Sequence, residues 1–393
     1  MYDVLAVRED FPVLKEVIYL DSAATTQTPV QVVAAMNEYF YKYAGNHGRG
    51  AHRLARETTN HYEDARENVA RFLNVDPTKT IFTKNATESI NMVAHGLEWI
   101  SWDHIVTTII EHHSNLLPWI RLRKLGVEVT IIEPDSNGII VPEDVDNALT
   151  DHTRLVAFTH VSNVLGSITD VSRITKIAHR GGAKVLIDGS QSAGHMPLDV
   201  HSLKCDFFVT PGHKGLLGPQ GTGVLYVMEP DLLEPTYLGG GTVHAVTTDG
   251  FELEPSPTRF EAGTPNIPGV IGLGRAVEYV QEIGSVDIER HETALSRNAA
   301  SRLEELPSVE VYGPAKRAAV VPFNVKGLNP HDVAIILDET KKICVRSGHH
   351  CAMPSIRFLG VEGTVRASFG LYSTQEEVDI FIDTVSQITS LLA

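Results

Sequence analysis

Cysteine is scarce in this 393-residue chain, with Cys205, Cys344 and Cys351 the only three. So few, and an odd number, exclude the disulfide framework of a secreted scaffold and fit thiols kept reduced in a cytosol. A cytoplasmic location is therefore expected. Long apolar runs are also missing: no stretch approaches the roughly 18 apolar residues of a membrane span. The opening MYDVLAVREDFPVLKEV carries charges near its start and no uninterrupted apolar core, so no secretory leader is expected. Clustered basic charge is the third absence. Lys plus Arg number 33 against 49 acidic residues, a formal net charge of −16, and no Lys/Arg run stands out. Nucleic-acid binding depends on such clusters and is not expected. Neither an internal repeat nor a low-complexity tract is present.

What is there is ordinary globular material, 42% hydrophobic and 21% charged, with ample residues for a core. Apolar runs of strand length alternate with amphipathic stretches of helix length: IVTTIIEHH (105–113), EVTIIEP (128–134), TRLVAFTHVSN (153–163), AKVLIDGSQ (183–191) and CDFFVTPGH (205–213). Between them lie helical segments such as NLLPWIRLRKLG and DVSRITKIAHRGG, the second with Asp170 as N-cap. Strands apolar on both faces and separated by helices predict a mostly parallel sheet sandwiched by helices, an α/β domain over residues 21–270. After about residue 270 the texture changes. Helical patterns lead into VEVYGP, AAVVPFNVKG, a helix from about Pro330, strand-like ICVRSG and TVRASFGLY, and a last helix capped near Ser373. This predicts a smaller α+β domain from residues 271–393 together with 1–20.

Ligands of parallel sheets bind outside the carboxyl ends of the strands. The polar residues there are His112, His113, Asn163, Asp188, Gln191, His213 and Lys214. IFTKNATESINMVAHGL adds a strand, a turn and a helix start whose Asn85 and Glu88 have capping-box spacing, with Thr87 as a further hydroxyl donor. An anion site, a strand-end carboxylate and a lysine in a Gly-rich turn together match one cofactor, pyridoxal 5'-phosphate: a phosphate, a ring nitrogen kept protonated, and an aldehyde for the lysine. The glycines of HKGLLGPQGTGVLYV precede a strand rather than open a helix, which argues against nucleotide binding. RSGHHCAMP (346–354) sets two imidazoles beside Cys351. Adjacent ligands lack zinc spacing and a fourth is missing, so no metal is expected. Cys205, and Cys344 in the alternating ICVR, read as core cysteines.

These residues lie in stretches that resemble the cysteine desulfurases of the class V aminotransferase superfamily (fold type I), especially the SufS-like group with a short cysteine loop. The stretches are YLDSAATTQTP, FTKNATESIN, EHHSNLLPW, HVSNVLGSITD, LIDGSQSAGH, GHKGLLGPQGTGVLY, FEAGTPN, RSGHHCAMP and VRASFGLYSTQEEVD, in family order from about residue 19 to 379. The resemblance implies that Lys214 forms the Schiff base, Asp188 partners the pyridine nitrogen and Gln191 contacts the ring hydroxyl. It implies His112 stacked on the ring and shuttling protons, Asn163 near the substrate and ring oxygen, and Thr87 and His213 on the phosphate. Thr264 would reach the partner's phosphate in a homodimer, Arg366 would clamp the substrate carboxylate, and Cys351 would be the nucleophile.

The implied activity is conversion of L-cysteine to L-alanine with a persulfide on Cys351. The sulfur would pass to an acceptor protein for iron–sulfur cluster assembly or other sulfur transfer. A related pyridoxal phosphate-dependent C–S lyase or selenocysteine lyase is the alternative. A thiolate needs a nearby cation or proton acceptor, and His349, His350 and Arg346 are equal candidates. Three departures from the family pattern stand out: Pro211 replaces a phosphate-binding serine, Gly48 replaces a histidine with His47 and His52 as neighbouring substitutes, and Asn85-Ala86 stands where the pattern is often Gly-Thr.

Overall fold

The computed structural model describes residues 2–390. Its centre is a seven-stranded sheet of β1 (Thr80–Thr83), β2 (His104–Thr108), β3 (Glu128–Ile132), β4 (Thr153–Thr159), β5 (Lys184–Asp188), β6 (Phe207–Pro211) and β7 (Gly223–Val227). The hydrogen-bonded order is β1-β7-β6-β5-β4-β2-β3. β2 to β6 pair in parallel, and β7 runs antiparallel to both β1 and β6. The mixed, mostly parallel sheet has helices on both faces. Alternate side chains explain the near-continuous apolar runs: Val185, Ile187 and Phe208 enter one core, Leu186, Phe207 and Val209 the other.

A second sheet joins β8 (Val309–Val311), β9 (Val320–Val325), β10 (Arg346–Gly348) and β11 (Thr364–Ser368), antiparallel throughout in the order β8-β9-β11-β10. Val321, Phe323, Val365 and Ala367 form a separate core with Leu295 and Leu303 of the helix Ser285–Glu304 and Phe381 and Val385 of the helix Gln375–Ser390. Near the N-terminus, Ile18–Tyr19 pairs in parallel with Ile343–Cys344, and Leu20 joins this second core.

The change of texture near residue 270 falls inside the helix Ile267–Ile283, whose Val270, Ile271, Leu273 and Val277 are buried in the large-sheet core. The last helix starts slightly later than its sequence signal: Thr374, not Ser373, exchanges hydrogen bonds with Glu377. Cys205 is wholly buried, but Cys344, on a short strand paired with Ile18–Tyr19, is only partly covered. Among the described residues no helix is long and apolar enough to cross a membrane.

Candidate active site

The carboxyl ends of the parallel strands open into one pocket. Its lining includes Thr87, His112, Asn163, Asp188, Gln191, His213, Lys214 and Arg366, joined by Arg346 from β10. Asp188 ends β5 with its carboxylate on the floor, 3% exposed, accepting from the Ser190 N–H at 3.0 Å. Burial pushes it above the ordinary aspartate range, opposed by Ser190 and the Lys214 charge. Lys214 follows β6 in the turn that leads to β7. It lines the pocket, and its side-chain amine has no hydrogen bond or ion pair among the described residues. Burial, reinforced by Arg366 and Arg346 against the pull of Asp188, lowers it to about 8. The DSAATT segment fixes this turn, since Thr26 donates its hydroxyl to the Lys214 carbonyl at 2.6 Å and its N–H to the His213 carbonyl at 2.9 Å.

The wall on one side is the helix Ala86–Gly96. Asn85 caps it by accepting from the Glu88 N–H at 2.9 Å, while the Glu88 carboxylate accepts from the Lys84 N–H at 2.6 Å. The first N–H groups of the helix thus sit at the pocket edge with the Thr87 hydroxyl, a natural anion cradle. Thr87 is held 2.6 Å from the Ser114 hydroxyl, which lies 2.9 Å from His112 Nδ1. The Ser114 N–H donates to that same Nδ1, so the neutral ring carries its proton on Nε2. Burial and the surrounding cations, Lys214 first, lower His112 to about 3, and His213 to about 4 by burial and Lys214.

Arg366, on β11, is fully buried. It donates to the Asn163 carbonyl at 2.9 Å and to the Asp21 carboxylate at 3.0 Å, and its Nε is a buried donor without a partner among the described residues. Cys351 lies beyond β10 in a short loop clamped from several sides. His113 N–H donates to the Cys351 carbonyl at 2.7 Å, Asn163 Nδ2 to the His350 carbonyl at 2.9 Å, and Met353 N–H to His113 Nε2 at 3.1 Å. His350 and Cys351 both adopt left-handed backbone, φ 51° and 57°, which costs non-glycine residues free energy and persists only where surrounding contacts enforce it.

The three candidates for activating the thiol now separate. His350 is buried with Nε2 2.8 Å from the Thr364 hydroxyl, and burial with Arg366 and Arg346 drives it down to about 2, so it is neutral. His349 is exposed. Arg346 Nη2 donates to Cys351 Sγ at 3.2 Å.

Thr264 stands apart from the pocket, exposed ahead of the helix Ile267–Ile283. The histidines beside Gly48 are engaged elsewhere: His47 lies 2.9 Å from the Glu63 carboxylate and against the Tyr62 ring, and His52 caps the helix Arg53–Leu73. Asp21 and Ser114 sit in recognised motifs, but their roles were not legible until the fold brought them to Arg366 and His112. Glu111 was missed altogether. It is fully buried, accepts from Asn115 Nδ2 at 2.6 Å and the Thr159 N–H at 3.0 Å, and lies 2.5 Å from the Thr108 hydroxyl. Burial pushes it up to about 8. Its position next to a strand-end histidine was the one available signal.

An aromatic aldehyde phosphate fits this donor set: Asp188 for a basic ring nitrogen, Lys214 for the aldehyde, and Thr87, His213 and the helix N-terminus for the phosphate. Among the described residues no group of three His, Cys, Asp or Glu could hold a metal ion.

The class-V aminotransferase family model matches residues 18–381. A relative from Methanothermobacter thermautotrophicus named "Probable cysteine desulfurase" is 46% identical over 392 residues, covering 98% of each chain. Among solved structures, an apo cysteine desulfurase from Thermococcus onnurineus superimposes with a TM-score of 0.96 at 47% identity, covering 99% of each chain. The Escherichia coli cysteine desulfurase CsdA, in an S-sulfonic acid form, gives 0.93 at 35% identity, covering 100% of this chain and 99% of its own. On these grounds the chain belongs to the pyridoxal phosphate-dependent cysteine desulfurases of the class-V aminotransferase family.

Proposed function

We propose that the protein takes the sulfur of L-cysteine onto Cys351 as a persulfide, releases L-alanine, and hands the sulfur to an acceptor protein. One observation carries this reading: Arg346 lines the pocket beside Lys214 and also donates to Cys351 Sγ at 3.2 Å. Arg346 thus links Cys351, which lies outside the lining of the pocket, to the chamber that holds Lys214.

Bound pyridoxal phosphate supplies an electron sink that makes the substrate Cα proton removable. Asp188 would hold the ring nitrogen, Gln191 and Asn163 its oxygen side, His112 its face, and Thr87 and His213 the phosphate. Arg366, preset by Asp21 and the Asn163 carbonyl, receives the substrate carboxylate with its remaining N–H donors. Lys214 Nζ, lowered toward neutrality by burial, accepts the Cα proton. The Cys351 thiolate then attacks the substrate sulfur. The new S–S bond forms as the C–S bond breaks, the electron pair stays on carbon, one proton adds at Cβ, and Lys214 returns one to Cα to complete alanine. No external oxidant or reductant is needed. Arg346 balances the thiolate before attack.

Cys351 sits on a clamped loop, so the acceptor must come to the pocket mouth, in the cytoplasm, for iron–sulfur cluster assembly or other sulfur transfer. Thr264, exposed and outside its own pocket, suits a contribution to a second copy's phosphate site in a homodimer. The test is mass spectrometry after exposure to L-cysteine, with alanine measured in parallel. A persulfide on Cys351 and loss of alanine formation in Cys351→Ser are expected. Undiminished alanine formation in that variant would refute the reading in favour of a lyase.

A further inference from the structure

Behind the pocket lies a buried pair outside the scheme above. His195, 8% exposed, places Nδ1 2.9 Å from the carboxylate of Glu292, itself 2% exposed. Nδ1 therefore carries the proton and Nε2 is left as an acceptor, and this buried atom has no partner among the described residues. Buried acceptors without partners are uncommon and call for an explanation. His195 also lines a cavity of about 10 Å³, walled by Ala23, Gln191, Ala319 and Ser368 among others. That volume reaches the roughly 10–15 Å³ that one water requires, and a water there needs at least two polar partners. Gln191 and Ser368 supply them alongside His195.

We propose that one water bound in this cavity links His195 to Gln191, making the His195–Glu292 pair a positioning element for the cofactor pocket. This rests on reading Gln191 as a cofactor contact.

Hydrogen-bond polarity gives the link a direction. Gln191 Nε2 donates to the Ala23 carbonyl at 2.8 Å, which leaves its second N–H for the pocket and its amide oxygen as an acceptor. Water donating one proton to His195 Nε2 and one to that oxygen opposes a flip of the amide. A donor, not an acceptor, is then presented where a ring oxygen must be held. Glu292 lies on the helix Ser285–Glu304, which packs in the core of the second sheet. His195 meanwhile packs against Gly215, next to Lys214: a Cβ there would stand 2.6 Å from His195 Cδ2. The relay thus ties that helix to two pocket elements.

The direct test is a high-resolution crystal structure of the cofactor-loaded protein. An ordered water within hydrogen-bond reach of both His195 Nε2 and Gln191 is expected. A dry cavity, or a water that does not reach Gln191, overturns the proposal. Ala319→Val fills the cavity and leaves the His195–Glu292 hydrogen bond intact. It is expected to weaken retention of added pyridoxal phosphate several-fold and to shift the bound cofactor's absorbance, with melting showing that the variant is folded. A folded variant that loses the water yet keeps cofactor affinity and spectrum unchanged overturns the relay. If Ala319→Val does not fold, the wild-type crystal structure decides. Neither readout depends on sulfur transfer, so desulfurase activity can stand or fall separately.

Discussion

The floor and the rim of the pocket are built on different principles. Asp188, Gln191 and Lys214 sit at or just beyond strands whose apolar runs force them into the sheet, so their placement follows from secondary structure. Cys351 and Arg346 belong to a two-stranded corner of the small sheet and a loop with left-handed backbone, held by His113 and Asn163 from the other side of the pocket. The floor is rigid by construction, whereas the rim is rigid by contact. Changes in the floor should therefore affect cofactor chemistry with little effect on folding, and changes in the rim should affect sulfur transfer while leaving the cofactor in place.

The largest effect is expected at Lys214. Lys214→Met should reduce alanine formation by on the order of 10²–10⁴-fold for the lost proton transfer alone. The fold should tolerate it. Lys214 is lowered from 10.5 to about 8 in the folded chain, so the folded state binds fewer protons than the unfolded state between those values. In the wild type, that difference makes stability rise with pH across the same window. The cofactor-free Met variant, lacking the penalty, should melt higher than the cofactor-free wild type at pH 7, with the gap narrowing from about pH 8 to 10.5. A variant that melts lower at pH 7 would contradict the view that this amine is strained by burial.

Arg346→Met breaks the rim. A hydrogen bond to a charged partner contributes about 1.5–3 kcal/mol, so persulfide formation should slow roughly 10- to 100-fold. Cofactor absorbance should stay near wild type, because Asp188, Lys214 and the helix Ala86–Gly96 are untouched. Equal loss of cofactor and persulfide would erase the distinction between floor and rim. Thr364→Val acts more gently, removing the hydroxyl 2.8 Å from His350 Nε2. The expected cost is about 1 kcal/mol of stability, read by denaturant unfolding, with a several-fold slower sulfur transfer as the loop loosens.

The same contrast explains what the sequence disclosed. Runs such as AKVLIDGSQ and CDFFVTPGH fix strand, direction and end, so Asp188, Gln191 and Lys214 could be assigned to one edge from pattern alone. Asn85 was legible as a cap because its partner, Glu88, is local. The Asp21–Arg366 contact joins positions 345 apart, and His195–Glu292 joins positions 97 apart, so no local periodicity marks either pair. His349, His350 and Arg346 are sequence neighbours of the thiol, yet only the left-handed turn decides that His350 is turned into the interior and Arg346 onto the sulfur. The histidines near Gly48 are suggested as pocket residues by proximity in sequence, and the contact with Glu63 and the helix cap at Arg53–Leu73 use them instead.

The smallest expected effect is a gain. Pro211 ends β6 in the pocket wall, where the family pattern places a hydroxyl. Its lack of an N–H is tolerated at this last residue of the strand, opposite Gly223. Pro211→Ser adds a donor facing the anion end of the pocket. A new hydrogen bond of about 0.5–1.5 kcal/mol would tighten pyridoxal phosphate binding by about two- to tenfold. The same change loosens the unfolded chain and costs about 0.4–1 kcal/mol of stability. Titration of the cofactor-free variant should therefore show tighter binding together with a slightly lower melting temperature before cofactor is added. Unchanged affinity would mean that Thr87, His213 and the helix N-terminus already satisfy the phosphate, so the floor has no open acceptor left for a serine to fill.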